Sequence, residues 1–283
     1  MLTINLFNGL VYGSLLIVMC SGLALIYGLR RVVNFAHGSL YMLGAYLGYS
    51  IAQQSNFWVA LVAAPALMAL LGVALDRYGF RLLQERDPLT VVLVTFGLLL
   101  VIEDAVQTVW GKSNLTVDTP ALLARSVDFL GTPLPAYRLA VIAIGAAVAL
   151  GLTAWLRCSR VGLFVRAAST DPTTTAMQGV NTDALSAGVV GLGTALAGLA
   201  GVVAAPFLSL SPSMSSDVII DSFVVVVVGG LGSLAGAFVA AMVLGMVQAL
   251  GAVYLPDLSA VLPFAIMVAV LIWKPSGFAG SRT

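Results

Sequence analysis

Gly111-Lys112-Ser113 is the tripeptide that closes a phosphate-binding loop. Such a loop needs an earlier glycine, five positions before Gly111, so that successive backbone N–H groups can cradle phosphate oxygens, and that position holds Val106. The tripeptide also follows an apolar run instead of opening a helix, so no nucleotide site is expected there. Other reactive groups are scarce. His37 is the single histidine, and HExxH, CxxC pairs and GxSxG do not occur. Cys20 lies inside an apolar run and Cys158 beside Arg157 and Arg160, so neither a disulfide framework nor their pairing is expected. Proton abstraction or nucleophilic catalysis needs a nucleophile or base with a partner to orient it. The inventory lacks one, so the chain is read as no enzyme and as binding no cofactor of its own.

The polar residues that remain stand inside or beside apolar runs. A charged group within a bilayer costs about 2.5–3.5 kcal/mol on insertion scales, so it usually faces a cavity or a partner. Glu103 and Asp104 precede Trp110 on one run. If a helix continues to Trp110, both lie below the outer interface and face the bundle interior. If it stops near Ile102, both are solvated, and the sequence leaves the two readings open. Asp221 is similar but nearer an edge, and is expected to be exposed. In VNFAHGSL, Asn34, His37, Gly38 and Ser39 open a second run, where the glycine permits a broken helix with free N–H groups along a polar route. A second interrupted stretch, GGLGSLAGA at 229–237, shares GSL followed by GA. His37 is also compatible with a helix-end histidine bonded to a backbone carbonyl. Gln248 is a weaker route candidate that could instead bond across a helix contact.

The elements that must position these groups are membrane helices. The chain is 60% hydrophobic and 9% charged, against about 25% charged in an ordinary soluble domain, with a mean hydropathy of +1.05. A net charge of +1 leaves no basic footprint for nucleic acid. The 29 glycines suit close helix packing in lipid. Apolar runs cover Leu6–Leu29, Val33–Ala52, Phe57–Leu75, Leu89–Trp110, Leu134–Leu156, Ala184–Leu210, Val218–Gly232, Leu234–Tyr254 and Leu258–Trp273. A bilayer core of ~30 Å takes about 20 helical residues, so most of these runs qualify and Val218–Gly232 is short. The first run is too long for the apolar core of a signal peptide, and no positive charge precedes it.

The positive-inside rule orders the runs. Arg30 and Arg31, then Arg77, Arg81 and Arg86, then Arg157, Arg160 and Arg166, and finally Lys274 are expected on the cytoplasmic side. Segments 111–133, 211–217 and 255–257 are expected outside. Residues 223–254 would make a helix of about 48 Å, so GGLGS must break them. The expectation is an all-α polytopic membrane protein of eight or nine spans, some short or glycine-interrupted, with the N-terminus outside and the C-terminus inside. The whole chain, 1–283, is read as a single transmembrane domain with a cytoplasmic loop at 157–183.

That loop contains RAASTDPTTTAMQGVNTD, residues 166–183. Asp171-Pro172 is a helix start, since proline suits the first turn and the aspartate accepts from free N–H groups there. Gly179 suits a left-handed stop. The helix between them, Pro172–Gln178, is too short to be stable alone in water, so it must dock on something, either on its own protein or on a partner.

This segment and the ALAGLAG span after it resemble the coupling segment of ABC-importer permeases of the branched-chain amino acid type, the LivH family. NGLVYGSLLIVMCSGLALIYGLRRVVNFAHGSLYMLGAY and VVVVVGGLGSLAGAFVAAMVLG resemble that family too, so the likeness touches both ends and the middle. The resemblance implies a permease subunit in a bacterial inner membrane that translocates branched-chain or related small amino acids. It implies a second, related permease chain, two cytoplasmic ATP-binding subunits carrying ATP and magnesium, and an external substrate-binding protein. It places Arg166, Asp171, Pro172, Ala176, Gly179, Asn181 and Asp183 in the loop that sits in a cleft of the ATPase. The glutamate-alanine-alanine motif of other importers is absent, with Thr173, Thr174 and Thr175 nearby, so its salt-bridge chemistry is not carried over.

Alternative readings are a related importer for urea or small amides, a passive channel for small neutral solutes, a secondary transporter and a purely structural subunit. A secondary transporter would show charges deep in several spans, and this chain has few. A channel conducts alone, a secondary transporter follows an ion gradient, and an importer subunit is inert without an ATPase.

Overall fold

The computed structural model describes residues 2–31, 34–83, 86–129 and 132–279. Nine helices fall on the nine apolar runs: α1 (Leu2–Arg30), α2 (Ala36–Gln54), α3 (Phe57–Tyr78), α4 (Pro88–Trp110), α5 (Ala136–Cys158), α8 (Thr182–Ala204), α9 (Met214–Gly229), α10 (Leu234–Tyr254) and α11 (Leu262–Trp273). Six of them, α1, α3, α4, α5, α8 and α10, are long and apolar enough to cross a membrane. Two further helices, α6 (Arg160–Thr170) and α7 (Pro172–Met177), lie between α5 and α8.

Some boundaries differ from expectation for identifiable reasons. The run Ala184–Leu210 does not stay helical: α8 stops at Ala204 and the chain turns, with Leu208 N–H on the Ala204 carbonyl at 2.7 Å. Pro206 lacks an N–H and its ring would strike the preceding turn. Residues 157–166, read as loop, form the end of α5 and most of α6, because Ser159 caps a new helix by accepting from Gly162 N–H at 2.8 Å. The segment between α4 and α5 carries a short hairpin, β1 (Ser126–Phe129) with β2 (Thr132–Pro135), which the all-helical expectation omits.

At the centre, α1 and α8 are largely buried, and α2, α3, α5 and α10 pack around them. The close approach depends on glycine. A Cβ on Gly44 of α2 would stand 2.3 Å from the Cα of Gly198 on α8, and one on Gly22 of α1 would stand 2.3 Å from the Gly193 carbonyl oxygen. In lipid, where burial of apolar surface drives little association, such contact supplies dispersion that larger side chains would prevent.

The bundle has two ends. At one, Arg30 pairs with Asp76, Arg81 with Asp183, and Arg31 donates to the Ser169 carbonyl at 3.1 Å. At the other, Leu115 and Leu210 exchange backbone hydrogen bonds of 3.0 and 2.9 Å, and Arg138 donates to Asn8 while lying 5.1 Å from the Phe207 ring centre. Arg30, Arg31 and Arg81, expected on one side of the membrane, thus share one end of the bundle.

Candidate functional site

The segment from α6 to the start of α8 is built from consecutive caps. Asp171 ends α6 and begins α7: its backbone is extended, and its carboxylate accepts from the Thr174 N–H at 3.0 Å and from the Thr174 hydroxyl. The hydroxyl and the backbone N–H of Thr174 hold the Asp171 carboxyl below the usual carboxylate range. Pro172 occupies the first helical position, and Thr175, buried, donates to the Asp171 carbonyl at 2.7 Å. Gly179 stops the turn at φ +84°, with its N–H on the Ala176 carbonyl at 2.9 Å. Asn181 then caps α8 through Ala184 N–H at 2.9 Å. The helix is six residues, one shorter than expected.

Most of this segment is exposed, including Arg166, Pro172, Ala176 and Asn181, and Met177 at its tip is 80% exposed. Asp183 is not free, since Arg81 engages it.

Behind the segment lies an ion pair that the sequence reading missed. Arg30, at the end of α1, meets Asp76, near the end of α3, and the Asp76 side chain is only 2% exposed. Ser186 of α8 donates to the same carboxylate at 3.3 Å, and Arg30 reaches the Phe80 carbonyl at 3.4 Å. Three helices therefore meet on one charge pair, directly beneath the exposed segment. Asp76 follows Leu75 at the end of an apolar run; that position was its only sequence signal, and its partner is 46 residues away.

The interior holds the other candidates. α2 begins at mid-depth: His37 Nε2 bonds the Met19 carbonyl, midway along α1, at 3.0 Å, and a Cβ on Gly22 would touch both His37 and Gly193, midway along α8. Since α1 ends at Arg30 and α2 starts at the level of Met19, α2 is a broken-in helix with its N-terminus inside. Asn34 accepts from Ala36 N–H at 3.1 Å and Thr95 accepts from Phe35 N–H at 3.3 Å. Ser39 bonds locally to the Ala36 carbonyl at 2.9 Å. Gly38 lets Ser215 of α9 close in, since a Cβ there would stand 2.3 Å from the Ser215 carbonyl oxygen. The second GSL stretch also opens a helix, with Ser233 capping α10 through Gly236 N–H at 3.1 Å.

The carboxylates separate. α4 does run to Trp110, and Glu103 accepts from the Ser215 hydroxyl. Asp104 does not share that surroundings: it is exposed on the outer face of α4, because adjacent helical residues point about 100° apart. Asp221, expected to be exposed, is half-buried. It accepts from Tyr12 Oη of α1 at 2.6 Å and from Gln248 Nε2 of α10 at 3.0 Å. Helix α9 starts at Met214, earlier than its apolar run, so Asp221 lies in its second turn and faces α1 and α10. The tripeptide at Gly111 ends α4, with the Gly111 N–H on Gln107 O at 2.9 Å, the reverse of a phosphate-binding turn.

The family described as the branched-chain amino acid transport system permease component matches residues 5–271. The high-affinity branched-chain amino acid transport permease LivH of Salmonella typhimurium is 27% identical over 98% of this chain and 94% of its own length. The permease BraD of Pseudomonas aeruginosa is 27% identical over 98% and 95%. The ribose import permease RbsC of Escherichia coli K12 is 27% identical over 86% of this chain and 76% of its own length. Among solved structures, PsaBC from Streptococcus pneumoniae in complex with Fab superposes with a TM-score of 0.52 over 95% of this chain and 91% of that one; at 13% identity this speaks for the fold alone. The full-length match, with the helical bundle and the arginine-marked end, shows that the chain belongs to the family of branched-chain amino acid transport permeases.

Proposed function

We propose that this chain is the membrane-spanning subunit of an ABC importer for branched-chain amino acids in a bacterial inner membrane. It works beside a second, related permease, with two cytoplasmic ATPase subunits on the Arg30 end and a binding protein at the Asn8 end. The observation that supports this most is α7: a helix too short to persist alone, capped at both ends, and raised with Met177 80% exposed. Arg166, Asp171, Pro172, Ala176, Gly179, Asn181 and Asp183 form or hold that handle.

Motion of the handle has physical routes inward. Arg31 holds Ser169, Arg81 holds Asp183, and the Arg30–Asp76–Ser186 contact joins α1, α3 and α8 just beneath. The chain from Arg30 leads within a few residues to the N-terminus of α2 at mid-depth. There Asn34, His37, Gly38 and Ser39 are buried in this conformation and would line the route once it opens, with Glu103 beside Ser215 and Gln248 further out. ATP hydrolysis belongs to the partners, and this chain converts their movement into alternate opening of the route.

The test is reconstitution of the chain with its second permease, ATPase and binding protein in liposomes. Leucine uptake that requires both ATP and the binding protein is the expected result. Solute flux through the isolated chain, without ATP, would replace this reading with a channel.

A further inference from the structure

Asp221 lies about 9–15 Å below the Asn8 end, judged from Tyr12 ten residues into α1 and Gln248 six residues before the end of α10 at 1.5 Å per residue. Its two carboxylate oxygens are held by neutral donors, Tyr12 Oη and Gln248 Nε2. Among the described residues the ion pairs are Arg30–Asp76 and Arg81–Asp183, both at the opposite end, so Asp221 has no cation beside it. A carboxylate at this depth without a cation is costly, and neutral donors relieve only part of that cost. Asp221 is partly accessible, and Asp217, one turn earlier on the same face of α9, is exposed.

One turn above Tyr12 on the same face of α1 stands Asn8, and Asn8 accepts from Arg138. Arg138 of α5 and Asp221 of α9 thus bond to residues on consecutive turns of one face of α1, with the positive group nearer the outer end. This order of charges suits a zwitterion whose carboxylate turns toward Arg138 and whose ammonium turns toward Asp221.

We propose that Asp221, framed by Tyr12 and Gln248, binds the ammonium group of an α-amino acid on its way through the membrane, with Arg138 receiving the carboxylate. The ammonium displaces no charged partner; it donates to the carboxylate oxygens while Tyr12 and Gln248 hold the carboxylate in place. The site rests on the reading of the chain as an amino acid permease.

The experiment uses the complete reconstituted transporter. Asp221→Asn should lower leucine uptake about tenfold or more, as expected when a charged hydrogen-bond partner is lost, while the assembled complex is recovered in wild-type yield. In the wild-type complex, millimolar leucine should protect Asp221 from modification by dicyclohexylcarbodiimide, read by mass spectrometry, and the 2-oxo acid of the same carbon skeleton should not. Uptake by Asp221→Asn within twofold of wild type overturns the site. So does an absence of protection by leucine, or equal protection by the 2-oxo acid. If the substitution prevents assembly, protection in the wild type decides. A wild-type complex that takes up another solute but no amino acid overturns the functional reading itself, an outcome distinct from normal leucine uptake that ignores Asp221.

Discussion

Removing the Asp76 carboxylate should be among the most damaging single changes in the bundle. The Asp76 side chain is 2% exposed and that of Arg30 13%, so solvent screens the pair poorly. Asp76→Ala leaves a guanidinium enclosed among α1, α3 and α8 whose remaining hydrogen-bond acceptor, among the described residues, is the Phe80 carbonyl. Breaking one side of a buried pair costs about 3–5 kcal/mol, because the surviving charge is uncompensated. At about 2–4 °C per kcal/mol for a chain of this size, the apparent melting temperature should fall by about 10 °C. The double variant Arg30→Ala with Asp76→Ala removes both charges. It should lose only the smaller contributions, about 1 kcal/mol each, of the Ser186 and Phe80 hydrogen bonds. Melting of the purified protein in detergent, followed by fluorescence or by loss of the monodisperse gel-filtration peak, compares the four proteins. A double variant as unstable as the sum of the two singles would refute the reasoning, and so would a single variant that melts like wild type.

Three further outcomes are expected. Gly179→Val forces a branched residue to φ +84° with open space around its Cβ, so the cost is backbone strain of about 1–2 kcal/mol; insertion should be intact while uptake per ATP hydrolysed falls, and an unchanged ratio would remove the capped-handle account. In a Cys158→Ser background, a membrane-impermeant thiol reagent should reach Ser113→Cys from outside and Thr174→Cys from inside; reversed labelling would overturn the orientation. The Asp171 carboxyl is held low by Thr174, so its capping contribution is present above the ordinary carboxylate range and lost only as pH falls through its depressed value. ATPase docking should therefore be constant from about pH 8 to about pH 5, and release near pH 6 would contradict the cap.

Much of the helical layout was legible because apolar length and turn chemistry are local. Each of the nine runs became a helix, and Asp171-Pro172 and Gly179 mark α7 as the spacing suggested. The same signal at Asp87-Pro88 opens α4, with Asp87 accepting from Thr90 N–H at 3.0 Å. Pairings between distant residues were not legible. Asp76 and Asp221 both lie near the boundaries of apolar runs, where the sequence reports polarity but not the neighbour brought in by another helix. Their partners, Arg30 and Ser186 in one case and Tyr12 and Gln248 in the other, come from elements far apart in the chain. Separating Glu103 from Asp104 required knowing which face of α4 meets α9, and apolar residues on nearly every side of that helix hide its orientation.

The most direct measurement is an affinity pull-down of this chain from mildly solubilised native membranes, beside a variant lacking residues 170–180. The expected result is that an ATPase subunit accompanies the intact chain and is absent from the variant, while both chains insert. An ATPase absent from both, or recovered equally with both, would contradict the role of α7 as the point where the motor holds the permease.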